Sequence, residues 1–92
     1  MESILSNERE CFRCGTTLNL EKHHVYGGRG RRDISEKYGC WVYLCMNHHT
    51  GDSGIHREKE FDDAMKRRCQ RAWERRFGSR EDFIKTFGRS YL

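Results

Sequence analysis

Proline is missing from all 92 residues, so the chain holds no polyproline spacer of the kind that separates domains. Long apolar runs are missing too. Nothing is long enough to span a bilayer, and no apolar stretch near the start resembles a secretory signal. Apolar residues are scarce: 35% are hydrophobic and another 35% are charged. A chain this short buries only part of its surface, so a core built from so few apolar groups is marginal. Small domains in that position usually add a metal or a disulfide staple. An odd number of cysteines, five, argues against a complete disulfide framework. Without a signal segment a reducing, cytoplasmic setting is expected, and there clustered cysteines more often bind metal.

What remains is one domain, 1–92, with a polar N-terminal extension at 1–10 and a formal net charge of +4. That bias permits nucleic-acid binding without proving it. Cys11-Phe-Arg-Cys14-Gly15 reads as a tight knuckle. Residues 17–26 and Trp41-Val42-Tyr43-Leu44 read as extended segments able to pair as a hairpin. Between them lie a basic glycine-rich loop, Gly27 to Arg32, and one helical turn at Ser35–Tyr38. Over residues 57–77, Phe61, Met65, Cys69, Trp73 and Phe77 recur every fourth position beside Ala64 and Ala72, which predicts an amphipathic helix with a buried stripe. Cys69 on that stripe reads as buried and inert, and the cations off it as a solvated face. Gly78 ends the helix, and Ser79-Arg80-Glu81-Asp82 resembles a capping box that opens a second one.

Two pairs, Cys11-x-x-Cys14 and Cys45-x-x-His48, each bracket two residues, the spacing that turns two side chains onto one ion. Closed tetrahedral zinc sites use four such sulfur and nitrogen ligands. A structural Zn²⁺ on Cys11, Cys14, Cys45 and His48 is therefore expected. Four of the five histidines then remain: His23, His24, His49 and His56. Neighbours on a strand point to opposite faces, so one of His23 and His24 can bind an ion while the other meets a water. Three imidazoles from three segments would leave positions open on that ion, as catalytic sites do.

Together these motifs, from the Cys-x-x-Cys through His23-His24-Val25, Gly27-Gly28 and Val42-Tyr43-Leu44-Cys45-x-x-His48-His49 to His56, resemble the HNH endonuclease family over residues 11–56. The segment from Glu36-Lys37-Tyr38-Gly39 to Phe87-Gly88-Arg89-Ser90-Tyr91-Leu92 resembles small HNH proteins of phages and prophages. The resemblance implies a ββα-metal fold, a small α+β domain with C-terminal helices at 57–92. It implies His24 as general base, His23, His49 and His56 as ligands of one divalent ion (Mg²⁺, Mn²⁺ or Ni²⁺), and His48 in place of a commoner fourth zinc cysteine. One departure stands out: relatives carry Asn where this chain has Cys40, and a thiol is a poor hydrogen-bonding substitute. Cys40 is alternatively a zinc ligand, though its distance from Cys45 fits less well.

A polyanionic substrate needs cations around such a site. Arg29, Arg31 and Arg32 follow the histidine pair and are expected to grip phosphates with little sequence preference. The function expected is a metal-dependent DNA endonuclease or nickase, with DNA and other phage proteins as candidate partners and no membrane. The alternative is a catalytically weak zinc module that binds DNA or a protein.

Overall fold

The computed structural model describes residues 1–92. The chain forms β1 (Leu20–His24), α1 (Arg31–Tyr38), β2 (Trp41–Cys45), α2 (Met46–His49), α3 (Lys59–Arg76) and α4 (Arg80–Phe87). It is a small α+β fold built on one two-stranded antiparallel sheet. Aromatic and branched side chains make β2 a strand on their own account. The sequence of β1, Leu-Glu-Lys-His-His, does not, and its extended form rests on pairing with β2. Leu20 lies opposite Cys45, His23 opposite Val42 and His24 opposite Trp41. The expected strand at 17–26 is therefore shorter. Leu18 is exposed, while Val25 and Tyr26 leave the strand and enter the core.

The connection between the strands departs from expectation. Helix α1 spans eight residues rather than one turn, so Arg31 and Arg32 are helical and only Arg29 stays in the glycine loop. Gly39 closes α1 with φ of 71°, a left-handed conformation that glycine adopts without steric cost. The N-terminal extension docks just there. Ile4 N–H donates to the Gly39 carbonyl at 2.9 Å, the Ser3 hydroxyl donates to the Trp41 carbonyl, and Trp41 Nε1 donates to the Met1 carbonyl at 3.1 Å.

The core lies between the hairpin and α3. Met65, Cys69 and Trp73 of the predicted stripe are buried there, with Gln70 and Ala72. Ala64 is exposed, and so is Phe77, which lies beyond the end of the helix at Arg76. The Ser79–Asp82 capping box is present, and α4 buries Phe83 and Phe87. Tyr26 packs on both rings, at 5.3 and 4.5 Å between centroids, and its hydroxyl donates to the Lys66 carbonyl at 2.7 Å. That contact fixes α3 against the end of β1. No helix is long and apolar enough to cross a membrane.

Candidate metal centres and the histidine cleft

The knuckle at Cys11 is a backbone structure first. Cys11 N–H donates to the Thr16 carbonyl and Gly15 N–H to the Cys11 carbonyl, both at 2.8 Å. Phe12 N–H donates to the Tyr43 carbonyl at 2.8 Å, which seats the knuckle on β2. Cys45 ends β2 and α2 starts beside it, so His48 comes round one turn later to face Cys45. The donor atoms of Cys11, Cys14, Cys45 and His48 all lie within 4.8 Å of one another. Sulfurs on a tetrahedral zinc stand about 3.8 Å apart, given bonds of about 2.3 Å. The Cys14 and Cys45 sulfurs stand 3.9 Å apart, and His48 Nδ1 lies 3.7 and 3.3 Å from the sulfurs of Cys11 and Cys45. These four residues form a site compatible with structural zinc.

Local electrostatics partly prepare it. Burial on its own would raise the Cys11 thiol, but backbone hydrogen bonds from Cys45, Cys14 and Arg13 outweigh it and bring it down to about 6. A thiolate near neutral pH is the form that binds metal. At Cys14 the Thr16 backbone favours the thiolate, yet desolvation and the sulfurs of Cys11 and Cys45 prevail and push the thiol up. Like charges gathered without a cation oppose one another in this way.

Cys40 stands outside this group. It is fully buried in the core, where contact with the Cys69 thiol, together with burial, raises its own thiol. Its N–H donates to the Ser35 carbonyl at 2.8 Å and its carbonyl accepts from Val25 N–H at 2.9 Å. The alternative of Cys40 as a zinc ligand does not hold.

A second group forms on the other side of α2. Strand pleating places His23 on the same sheet face as its cross-strand neighbour Val42, and both are buried. His49 follows His48 on α2. The loop 50–55 is drawn back by a hydrogen bond from Ile55 N–H to the His48 carbonyl at 2.8 Å, and buried Ile55 anchors it so that His56 returns to the same place. The three rings meet with centroids 4.8 to 5.3 Å apart, and their nitrogens lie within 4.8 Å of one another, a group able to hold a metal ion.

His23 is the most confined of the three, 4% exposed, and its Nε2 has no hydrogen-bond partner. Burial, then the neighbouring His49 and His56, bring it down to about 3, so its imidazole is neutral near pH 7. Burial, and next His49, also lower His56. His49 Nδ1 lies 3.0 Å from Glu21 Oε1. An ionised carboxylate only accepts, so Nδ1 donates to it and Nε2 is the ring's candidate ligand atom. Carboxylates orient metal-ligating histidines in this manner.

These rings line a cleft of about 620 Å³ whose walls include His24, Gly28, Arg32, Asp62 and Lys66. His24 Nε2 lies 3.5 Å from Glu36 Oε2 on α1, and the same carboxylate takes Lys22 Nζ at 3.0 Å. The Lys22 ammonium foremost, with His24, holds Glu36 below its ordinary range. Of the three arginines expected at the site, Arg32 lines the cleft, Arg31 lines an adjoining hollow and Arg29 is exposed without lining either.

Sequence reasoning missed Glu21, Glu36, Asp62 and Lys66. Lys66 lies off the apolar stripe of α3, yet its side chain is only 23% exposed and its ammonium holds Asp62 at 2.9 Å. No local pattern marks these residues, since tertiary packing brings them to the cleft. No family model, curated protein or solved structure matches the chain.

Proposed function

We propose that the chain is an HNH-type, metal-dependent DNA endonuclease or nickase with a separate structural zinc. The observation that carries this reading is the second histidine group: three imidazoles from three segments converge in an open cleft beside a fourth, His24, and a closed zinc site needs none of them. His23, with its buried unpartnered Nε2, fits a nitrogen-ligated ion, as do His49 and His56. Nitrogen-rich sites suit transition ions such as Mn²⁺ or Ni²⁺ more than Mg²⁺. A divalent ion bound there supplies charge neutralisation at a phosphate and at a departing 3′ oxygen.

The chain's own residues do the rest. His24, ending β1 at the cleft wall, accepts the proton of an attacking water. Glu36, 3.5 Å from His24 Nε2, orients the His24 ring and leaves Nδ1 to accept that proton. Arg32 and Lys66 meet the phosphate oxygens. Plasmid incubated with the zinc-loaded protein and Mg²⁺, Mn²⁺ or Ni²⁺ should be nicked, and His24→Ala should slow nicking by about 10²- to 10⁴-fold, the usual worth of general-base catalysis. Nicking that survives His24→Ala overturns this assignment.

A second reading, a catalytically weak zinc module that binds DNA or a protein, is favoured by Cys40. Its thiol is engaged with Cys69 in the core and braces nothing at the cleft, where the family's Asn would. No nicking in any of the three ions would decide for that module.

A further inference from the structure

A second hollow, of about 370 Å³, lies beside the histidine cleft, and Lys66 lines both. Five cations line it, Arg31, Lys59, Lys66, Arg67 and Arg89, against a single carboxylate, Asp63. The whole chain has 18 cations and 14 anions. Five cations against one carboxylate give the hollow a formal charge equal to the +4 of the whole chain. Lys59 and Lys66 are partly answered by Asp63 and Asp62. Arg31, Arg67 and Arg89 take part in no ion pair of the fold. Three guanidinium groups from α1, α3 and the C-terminal tail thus line one hollow with no ion-pair partner.

The tail is held there at a cost. Gln70 of α3 is fully buried, and its amide is used to fasten the last residues. Its Nε2 donates to Ser90 Oγ at 2.9 Å and its Oε1 accepts from Tyr91 N–H at 2.7 Å. Tyr91 stacks on Tyr26 at 5.4 Å, and the Arg89 guanidinium lies 4.6 Å from the Tyr91 ring. A side chain fixed in advance loses less entropy when it binds. Apart from Tyr91 the hollow has no apolar lining, which disfavours an apolar small molecule.

We propose that this hollow is a phosphate-backbone groove of a nucleic-acid site, continuous with the histidine cleft through Lys66. It takes the phosphates next to the one held in the cleft, with Arg31, Arg67 and Arg89 as the contacts. The proposal rests on the endonuclease reading for what occupies the cleft, but its test does not need cleavage.

Binding of a fluorescein-labelled DNA duplex by the zinc-loaded protein is measured by anisotropy over a series of salt concentrations, without added divalent ion. The combined variant Arg31→Gln, Arg67→Gln, Arg89→Gln should bind about 10- to 100-fold more weakly at physiological salt. The slope of log affinity against log salt should fall by about 2 to 3, close to one per lost phosphate contact. A control, Arg71→Gln, Arg75→Gln, Arg76→Gln, removes the same charge from the exposed side of α3 and should leave the slope unchanged. The Arg67 side chain makes no hydrogen bond or ion pair, so Arg67→Gln alone keeps the fold and should lower the slope by about 1.

Equal losses in the two triple variants, an unchanged slope in Arg67→Gln, or no binding by the wild type overturns the groove. Wild-type binding without nicking, or nicking that survives His24→Ala, counts against the endonuclease reading alone. Nicking by the wild type with undiminished binding in the groove variants counts against the groove alone.

Discussion

His23 carries an energetic contradiction within a single side chain. Its ring is buried as a core residue would be, yet its Nε2 meets no donor. An unsatisfied buried polar atom costs about 1–3 kcal/mol. A leucine of similar volume avoids that cost. His23→Leu is therefore expected to raise the thermal midpoint of the zinc-loaded protein by several degrees, since about 1 kcal/mol is worth roughly 4–8 °C in a domain of this size. It should also abolish any rise in midpoint on adding Ni²⁺ or Mn²⁺, which the wild type should show by mass action. Scanning calorimetry with and without the ion checks both halves, and an unchanged ion response in the variant would remove His23 from the ligand set. Gly39 is a second single-residue constraint. Its φ is positive, and a Cβ there would strike the Glu2 carbonyl. Gly39→Ala should destabilise by about 2 kcal/mol in urea unfolding, from the left-handed strain alone, and should loosen the N-terminal segment towards protease.

At the scale of elements, what could be read beforehand follows contact distance along the chain. The start of α4 depends on Ser79 and Asp82, three residues apart, and its capping box was visible in the sequence. The two pairs of the candidate zinc site, each three residues apart, are legible for the same reason. Glu36 and His24 are twelve residues apart, Gln70 and Ser90 twenty, and Tyr26 and Lys66 forty, so no local pattern announces them. Strand β1 was legible only in part, because its residues are extended through β2 and not through their own preferences. The α4 cap also gives a pH signature. Hydrogen bonds from the Ser79 backbone first, then its hydroxyl, hold Asp82 below the ordinary carboxylate range. A carboxyl lowered in the fold favours folding fully above its unfolded value, and that contribution fades as pH falls through the folded value. Asp82→Asn should therefore flatten the loss of stability below about pH 4 while changing little between acid and base above it. Thermal midpoints measured across that range, with the wild type alongside, test the sign.

For the whole molecule the balance is set by how little it buries: 21 of 92 residues. The hydrophobic core cluster includes Cys11 and Cys45 themselves, so the candidate zinc site is part of the core and not an attachment to it. Structural zinc in finger peptides contributes about 10–16 kcal/mol of folding-coupled binding, against about 5–15 kcal/mol of total stability for an ordinary domain. Stripping zinc with a chelator should therefore abolish the cooperative thermal transition, with loss of helical circular dichroism. A transition that persists unchanged would show that the apolar core suffices.

His48 and His49 are adjacent residues of a four-residue helix, and they serve different clusters. One residue inserted between them would rotate everything downstream by about 100° around the helix axis, turning His49 out of the cleft while leaving His48 in place. The stretch from Cys45 to His49 thus admits neither insertion nor deletion, whereas the glycine loop between Tyr26 and Arg31 can change length without parting either set of ligands. Among descendants of this sequence, length variation should collect in that loop and not between Cys45 and His49.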